Sequence, residues 1–189
     1  GSGKRAEAKS ADYVLVYRNT KLASVEAKAA TKSYSEGVAQ AKDYAERLQT
    51  RFGYATNGTQ IYRIDMHTGE EGLVDRWPTP PELWHATFAE ANIWRDRFAA
   101  VPYETGGKFE PRYYQYNAIE KALAAITSGK DRILLTLATG TGKTCVAFQI
   151  SWKLFNARWN LHDWKTGAEP ARRPRILFLA DRNILADQA

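Results

Sequence analysis

The chain is poor in redox-active and metal-binding side chains. Its 189 residues hold one cysteine, one methionine and three histidines. The lone thiol, Cys145, excludes an intramolecular disulfide and suits a reducing compartment, so a cytoplasmic location is expected. His67, His85 and His162 are scattered, which argues against a zinc cluster. No apolar run reaches the roughly 20 residues of a membrane-spanning helix, and no signal-peptide pattern is visible, so no membrane partner is expected. Internal repeats and low-complexity tracts are missing too. What is present is a 44% hydrophobic share, enough for a packed core, and a net charge of +6, compatible with a polyanionic partner.

In chain order, "ADYVLVYR" (residues 11–18) is rich in β-branched and aromatic residues and reads as a strand. "KLASVEAK" (21–28) reads as a second strand, joined to the first through "NT" in a hairpin. Val38, Ala41, Ala45 and Leu48 recur at helical spacing and predict a helix over about 35–51. "ATNGTQIYRIDMHTGEEGLV" reads as a further hairpin with its turn near Thr68 and Gly69. Pro78, Pro80 and Pro81 then break the pattern, and Pro81 is placed to start a helix. Short helices and a linker follow, with a boundary at "GGKFEP". Beyond Pro111 a helix ends at Gly129. "RILLTLA" and "RILFLAD" are continuous apolar runs of the kind that strands buried on both faces carry. Strand, glycine loop, helix and strand predict an α/β fold with a parallel sheet.

The loop is "ATGTGKT", residues 138–144. A glycine turn after a strand turns backbone amides toward phosphate oxygens, and the following helix adds its positive end. Thr139, Gly140, Thr141 and Gly142 would form the cradle, Lys143 would reach the β- and γ-phosphates of ATP, and the Thr144 hydroxyl would ligate Mg2+. The strict pattern has glycine five positions before Gly142, where Leu137 stands, so this is a variant loop. It resembles the first motif of superfamily 2 helicases and translocases. "RYYQ" ends in Gln115, which resembles the glutamine that reads adenine in that superfamily; an amide offers both a donor and an acceptor. "FLADRNILADQ" resembles the next motif, in which Arg182 would contact a DNA phosphate.

"SVEAK" places Glu26 and Lys28 on one side of a strand, where burial is costly without a partner. With Asp12 on the preceding strand, the set resembles the PD-(D/E)xK nucleases, although Ala11 stands where that motif has proline. The resemblance implies that Asp12 and Glu26 hold Mg2+ and that Lys28 positions water and offsets phosphate charge. Residues directly opposed in an antiparallel pair share a face. A two-residue "NT" loop would set Asp12 against Ala27, so an odd loop or a bulge is predicted. Gln40 and Tyr44, at i,i+4 on the next helix, resemble the Q-x-x-x-Y motif of RecB-like nucleases.

A nuclease motif N-terminal to a superfamily 2 motor resembles the restriction (R, HsdR) subunit of type I restriction enzymes. "ADYVL", "VEAK", "ATNG", "PTPPELW", "RYYQ" and "ATGTGKT" carry that resemblance. It implies a partial restriction-endonuclease-like domain over 1–77, a helical linker over 78–110 and the first part of a RecA-like motor over 111–189. It also implies ATP-dependent translocation of double-stranded DNA, Mg2+-dependent cleavage away from the recognition site, and partnership with modification and specificity subunits. Segments that hydrolysis requires, the acidic Walker B stretch among them, are not in this sequence, so efficient ATP hydrolysis by the chain alone is not expected. The alternatives are a nuclease-helicase of another defence or repair system, or a binding fragment whose Asp12, Glu26 and Lys28 form an inert ion cluster. Type III subunits carry the nuclease after the motor, so domain order disfavours them. The stretch between Trp152 and Trp164 reads as helix packing followed by a surface insertion, with base stacking as the rival role.

Overall fold

A computed structural model describes residues 10–106 and 110–179; Arg182 lies outside the described residues. The chain divides into two compact units, the first ending at Glu90 and the second starting at Ala91.

The first unit is built on a five-stranded sheet in sequential order. Strand β1 (Tyr13–Tyr17) turns through Arg18 and Asn19 into β2 (Thr20–Ala27). Both turn residues have positive φ, 49° and 56°, as a type I′ hairpin turn requires. The turn therefore sits one residue earlier than the "NT" of the sequence reading. Helix α1 (Ser35–Leu48) crosses over to β3 (Phe52–Thr56), which lies parallel to β2. Then β4 (Ile61–Asp65) and β5 (Glu71–Val74) continue antiparallel. The sequence reading had one hairpin over this stretch and did not separate β3, all five residues of which are buried.

Helix α1 lies on β2 and β3. Gly53 makes this possible: a Cβ there would sit 3.1 Å from the Ala41 carbonyl oxygen. Because strand residues alternate, Phe52 and Tyr54 point to the other face, where the Tyr54 ring meets Trp77. Burial pushes the Tyr54 phenol up to about 12, outweighing the opposing pull of Arg63. Helix α2 (Pro80–Thr87) opens with Thr79 and Glu82 capping each other's backbone, consistent with the proline-led start. Its Trp84 is buried and meets Tyr17 edge-on.

The second unit contains α3 (Ile93–Ala100), α4 (Tyr113–Thr127), α5 (Lys143–Asn156) and α6 (Leu161–Thr166). Its core joins Trp94, Phe98, Ile119, Leu123, Val146 and Ala157. Lys153 is buried on α5, donates to the carbonyls of Phe98 and Val101 at 3.2 and 2.8 Å, and lies 4.2 Å from the Tyr103 ring centroid. The buried-strand expectation differs here. Among the described residues, neither 132–138 nor 175–179 forms a strand, and Leu134 and Leu177 are 90% and 82% exposed. A strand is defined by a neighbour that accepts its hydrogen bonds, and the described residues place none beside either run. The expected parallel sheet is thus not formed among the described residues of this unit.

Candidate functional site

The hairpin contains the irregularity that the acidic cluster needs. Tyr17 pairs with Thr20 and Val16 with Lys21; then the register shifts, and Leu15 pairs with Ala23 and Tyr13 with Val25. The extra residue is Leu22, a bulge on β2. Continuing the shifted register by one residue sets Asp12 opposite Glu26. Without the bulge Asp12 would face Val25 and its side chain would lie on the other face. Asp12 Oδ2 accepts the Ala27 amide at 2.8 Å, which holds the carboxylate at the end of β2.

Glu26 and Lys28 face α1. The Lys28 ammonium donates to Glu26 Oε1 at 2.7 Å and to Gln40 Oε1 at 2.5 Å, so strand and helix position it together. The hydrogen bond to Glu26 raises the Lys28 pKa, and the charges of Glu26 and Asp12 add to this against a desolvation cost. Lys28 is therefore a cation throughout the physiological range. Tyr44 is buried one turn beyond Gln40. Gly37 was not singled out in the sequence reading. A Cβ there would lie 3.2 Å from Glu26 Cγ and 3.5 Å from the Lys28 side chain, so this glycine lets α1 approach the acid–amine pair. A glycine one turn upstream of Gln40 on the same helix was the only sequence signal for it.

The donor set can be tested for a metal. Among the described residues no group of three or more His, Cys, Asp or Glu comes together; Glu26 and Asp12 are the carboxylates whose charges act on Lys28. Glu26 is 5% exposed, and among the described residues its buried Oε2 has no hydrogen-bond partner. An orphaned carboxylate oxygen is costly. A hard divalent cation fits it, since such ions take oxygen ligands and complete their shell with water.

The glycine loop lies on the second unit. Gly140 and Gly142 have φ of 78° and 81°, in the region that favours glycine, and Gly142 caps α5. Thr141 Oγ1 donates to the Ala138 carbonyl at 2.6 Å, closing the turn. Thr139, Gly140 and Lys143 are exposed, and Thr144 is half-buried in the first turn of α5. Gln115 is 5% exposed and both ends of its amide are engaged. Its Oε1 accepts the Arg112 amide at 2.9 Å, and its Nε2 donates to the Thr141 carbonyl at 2.8 Å. A Cβ on Gly142 would collide with Nε2. The structure thus places Gln115 against the loop backbone. Burial pushes the Cys145 thiol up, the opposite of an activated thiolate.

Among the described residues no helix is long and apolar enough to cross a membrane. The profile of the family described as "Type III restriction enzyme, res subunit" matches residues 108–189. The chain is 39% identical to the endonuclease subunit of the type I restriction enzyme EcoAI from Escherichia coli, over 97% of this chain and 22% of that protein. It is 32% identical to the EcoKI endonuclease subunit from Escherichia coli strain K12, over 76% of this chain and 12% of that protein. A solved fragment described as an HsdR subunit of a type I restriction enzyme from Vibrio vulnificus YJ016 superposes with a TM-score of 0.78 at 47% identity, covering 93% of this chain and 33% of that one. The chain belongs to the HsdR-type restriction subunits of type I restriction enzymes, of which it spans a part.

Proposed function

We propose that this chain is the nuclease and early motor stretch of a subunit that moves double-stranded DNA with ATP and cuts it, in the presence of Mg2+, away from the recognition site. The observation that carries the reading is the buried, unpartnered Glu26 Oε2 beside a lysine held by both strand and helix.

On this reading residues 1–77 belong to a restriction-endonuclease-like domain, 78–110 to a linker and 111–189 to a RecA-like motor. Asp12 and Glu26 would hold Mg2+, which when bound stabilises the negative charge that builds on the scissile phosphate. Lys28 presents a fixed cation to that phosphate and orients the attacking water through its hydrogen bonds. Gln40 aims the ammonium, and Tyr44 backs it from within α1. In the motor, the amides of residues 139–142 and Lys143 bind the phosphates of ATP, and Thr144 offers its hydroxyl to the accompanying Mg2+. Gln115 shapes the loop that receives them. Arg182 contacts the DNA backbone, and the modification and specificity subunits supply sequence recognition in the cytoplasm.

The test is Lys28→Ala in the intact subunit within the assembled enzyme, with ATP hydrolysis and plasmid cleavage recorded together. Cleavage is expected to fall at least about 100-fold, a loss typical of removing an electrostatic catalytic group, while DNA-stimulated hydrolysis persists. Undiminished cleavage would remove the nuclease assignment.

A further inference from the structure

We infer that the C-terminal end of α5 and the segment that folds back against it form a second DNA-backbone site, built from Arg158, Arg172 and Arg173 with Lys165 and Arg175 beside them. The inference rests on the reading above that double-stranded DNA is the substrate.

All five cations are exposed, and none pairs with a carboxylate among the described residues. The nearby acids are already engaged. Glu169 pairs with Arg97 at 2.6 Å, and the buried Asp163 accepts from Asn160 Nδ2, from the Ala171 amide and at the His162 ring. The fold brings the arginines together by specific bonds. Asn160 Nδ2 donates to the carbonyls of both Arg158 and Arg172, at 3.4 and 3.3 Å. The Arg158 amide donates to the Phe155 carbonyl, and the Arg173 guanidinium stacks 4.5 Å from the Phe155 ring centroid. Like charges gathered without acids repel one another, which favours a polyanion on this face. The negative end of α5 stabilises a cation or two nearby, but not five.

The chemistry favours a duplex over a single strand. Single strands are held by exposed aromatic platforms. Here Trp159 and Trp164 pack onto the core cluster, Trp164 lies against Gly129, and Trp152 donates to the Pro102 carbonyl at 3.1 Å. The tryptophans therefore pack, Trp152 as the sequence reading had it and Trp159 and Trp164 within the stretch it read as a surface insertion, while the guanidinium and ammonium groups stand outward. That set matches the regular phosphates of a duplex. With 14 residues in α5, this end lies about 20 Å from the glycine loop, so the two sites are separate.

The test uses the intact restriction subunit and a random-sequence duplex. The triple variant R158Q/R172Q/R173Q and its charge-preserving counterpart R158K/R172K/R173K are compared with wild type for affinity across a salt series. The expected result is at least about tenfold weaker binding for the glutamine variant. Its log K against log salt slope should be shallower by about 2.7, three lost contacts at about 0.9 each, while the lysine variant retains the slope. An unchanged slope in a folded glutamine variant that still binds nucleotide would overturn the inference. So would unchanged duplex binding with lost assembly onto the modification and specificity subunits, which would make the face a protein interface. Absence of duplex binding by wild type would instead sink the DNA reading on which the site rests.

Discussion

Asp65→Asn probes the ion pair where β4 ends, opposite the start of β3. Asp65 is 5% exposed at the end of β4. Arg51 Nε bonds both of its oxygens at 3.2 Å, and Arg51 Nη2 bonds Oδ2 at 2.8 Å. The amides of His67 and Thr68 donate to Oδ1. Arg51 also donates to the Ala86 carbonyl at 2.5 Å, so the pair ties the sheet to the end of α2. Burial alone would raise the Asp65 pKa; the Arg51 and amide hydrogen bonds outweigh it and lower the value from 3.8 to about 2. The folded pKa is depressed, so the unfolded chain binds more protons between these values. The stabilisation is complete above about pH 4 and is lost as pH falls through about 2. A shift of nearly two units corresponds to about 2 kcal/mol. Asparagine keeps the shape and one acceptor but removes the charge, so the variant should lose about 2 kcal/mol at pH 7. Hydrogen exchange in peptides spanning β3 and β4 should then speed up about 30-fold, and the difference from wild type should close toward pH 2. A change below about threefold at pH 7, or a difference that persists at pH 2, would refute the reasoning.

Further outcomes follow from the two sites. Gly37→Ala gains up to about 1 kcal/mol of helix propensity but brings a methyl group to 3.2 Å from Glu26 Cγ; thermal stability should change little while plasmid cleavage falls, and parallel losses of both would mark Gly37 as structural only. Gly142→Ala combines a φ of 81° with a collision at Gln115 Nε2, so titration with a fluorescent ATP analogue should show at least about tenfold weaker binding; unchanged affinity would mean that the loop does not hold phosphate in this shape. Gln115→Ala should weaken ATP, GTP and inorganic tripolyphosphate alike in competition assays, because the amide holds the Thr141 carbonyl; a loss confined to ATP would restore adenine reading as its main role.

What was legible in the sequence, and what was not, separates along physical lines. The β1–β2 hairpin was legible because β-branched and aromatic residues cluster there and the chemistry demanded an irregularity. The irregularity is present, but the sequence did not show that Leu22 would be the bulged residue or that Arg18 and Asn19 would be the turn, since either turn closes the same two strands. Strand β3 escaped because Gly53 weakens any strand pattern; the reason for the glycine is the Ala41 carbonyl 3.1 Å away, and that contact exists only once α1 has crossed over. The apolar runs at 132–138 and 175–179 show the converse. Their composition expresses the need for neighbouring strands, and composition cannot supply the neighbours.

Gln40 and Tyr44 carry the same lesson into the site. Helical spacing put them on one face and so gave them one role. The structure divides that role. Gln40 reaches the Lys28 ammonium, whereas Tyr44 is buried in α1. The difference arises from where the end of β2 passes the helix. Gly37 admits the strand one turn before Gln40, so Lys28 meets the first member of the pair and the second turns inward. The acid and the amine of "SVEAK" meet α1 at its Gly37 and Gln40, and the bulge on β2 sets Asp12 opposite Glu26. Among the described residues no protein group fills the hydrogen-bonding position at Glu26 Oε2.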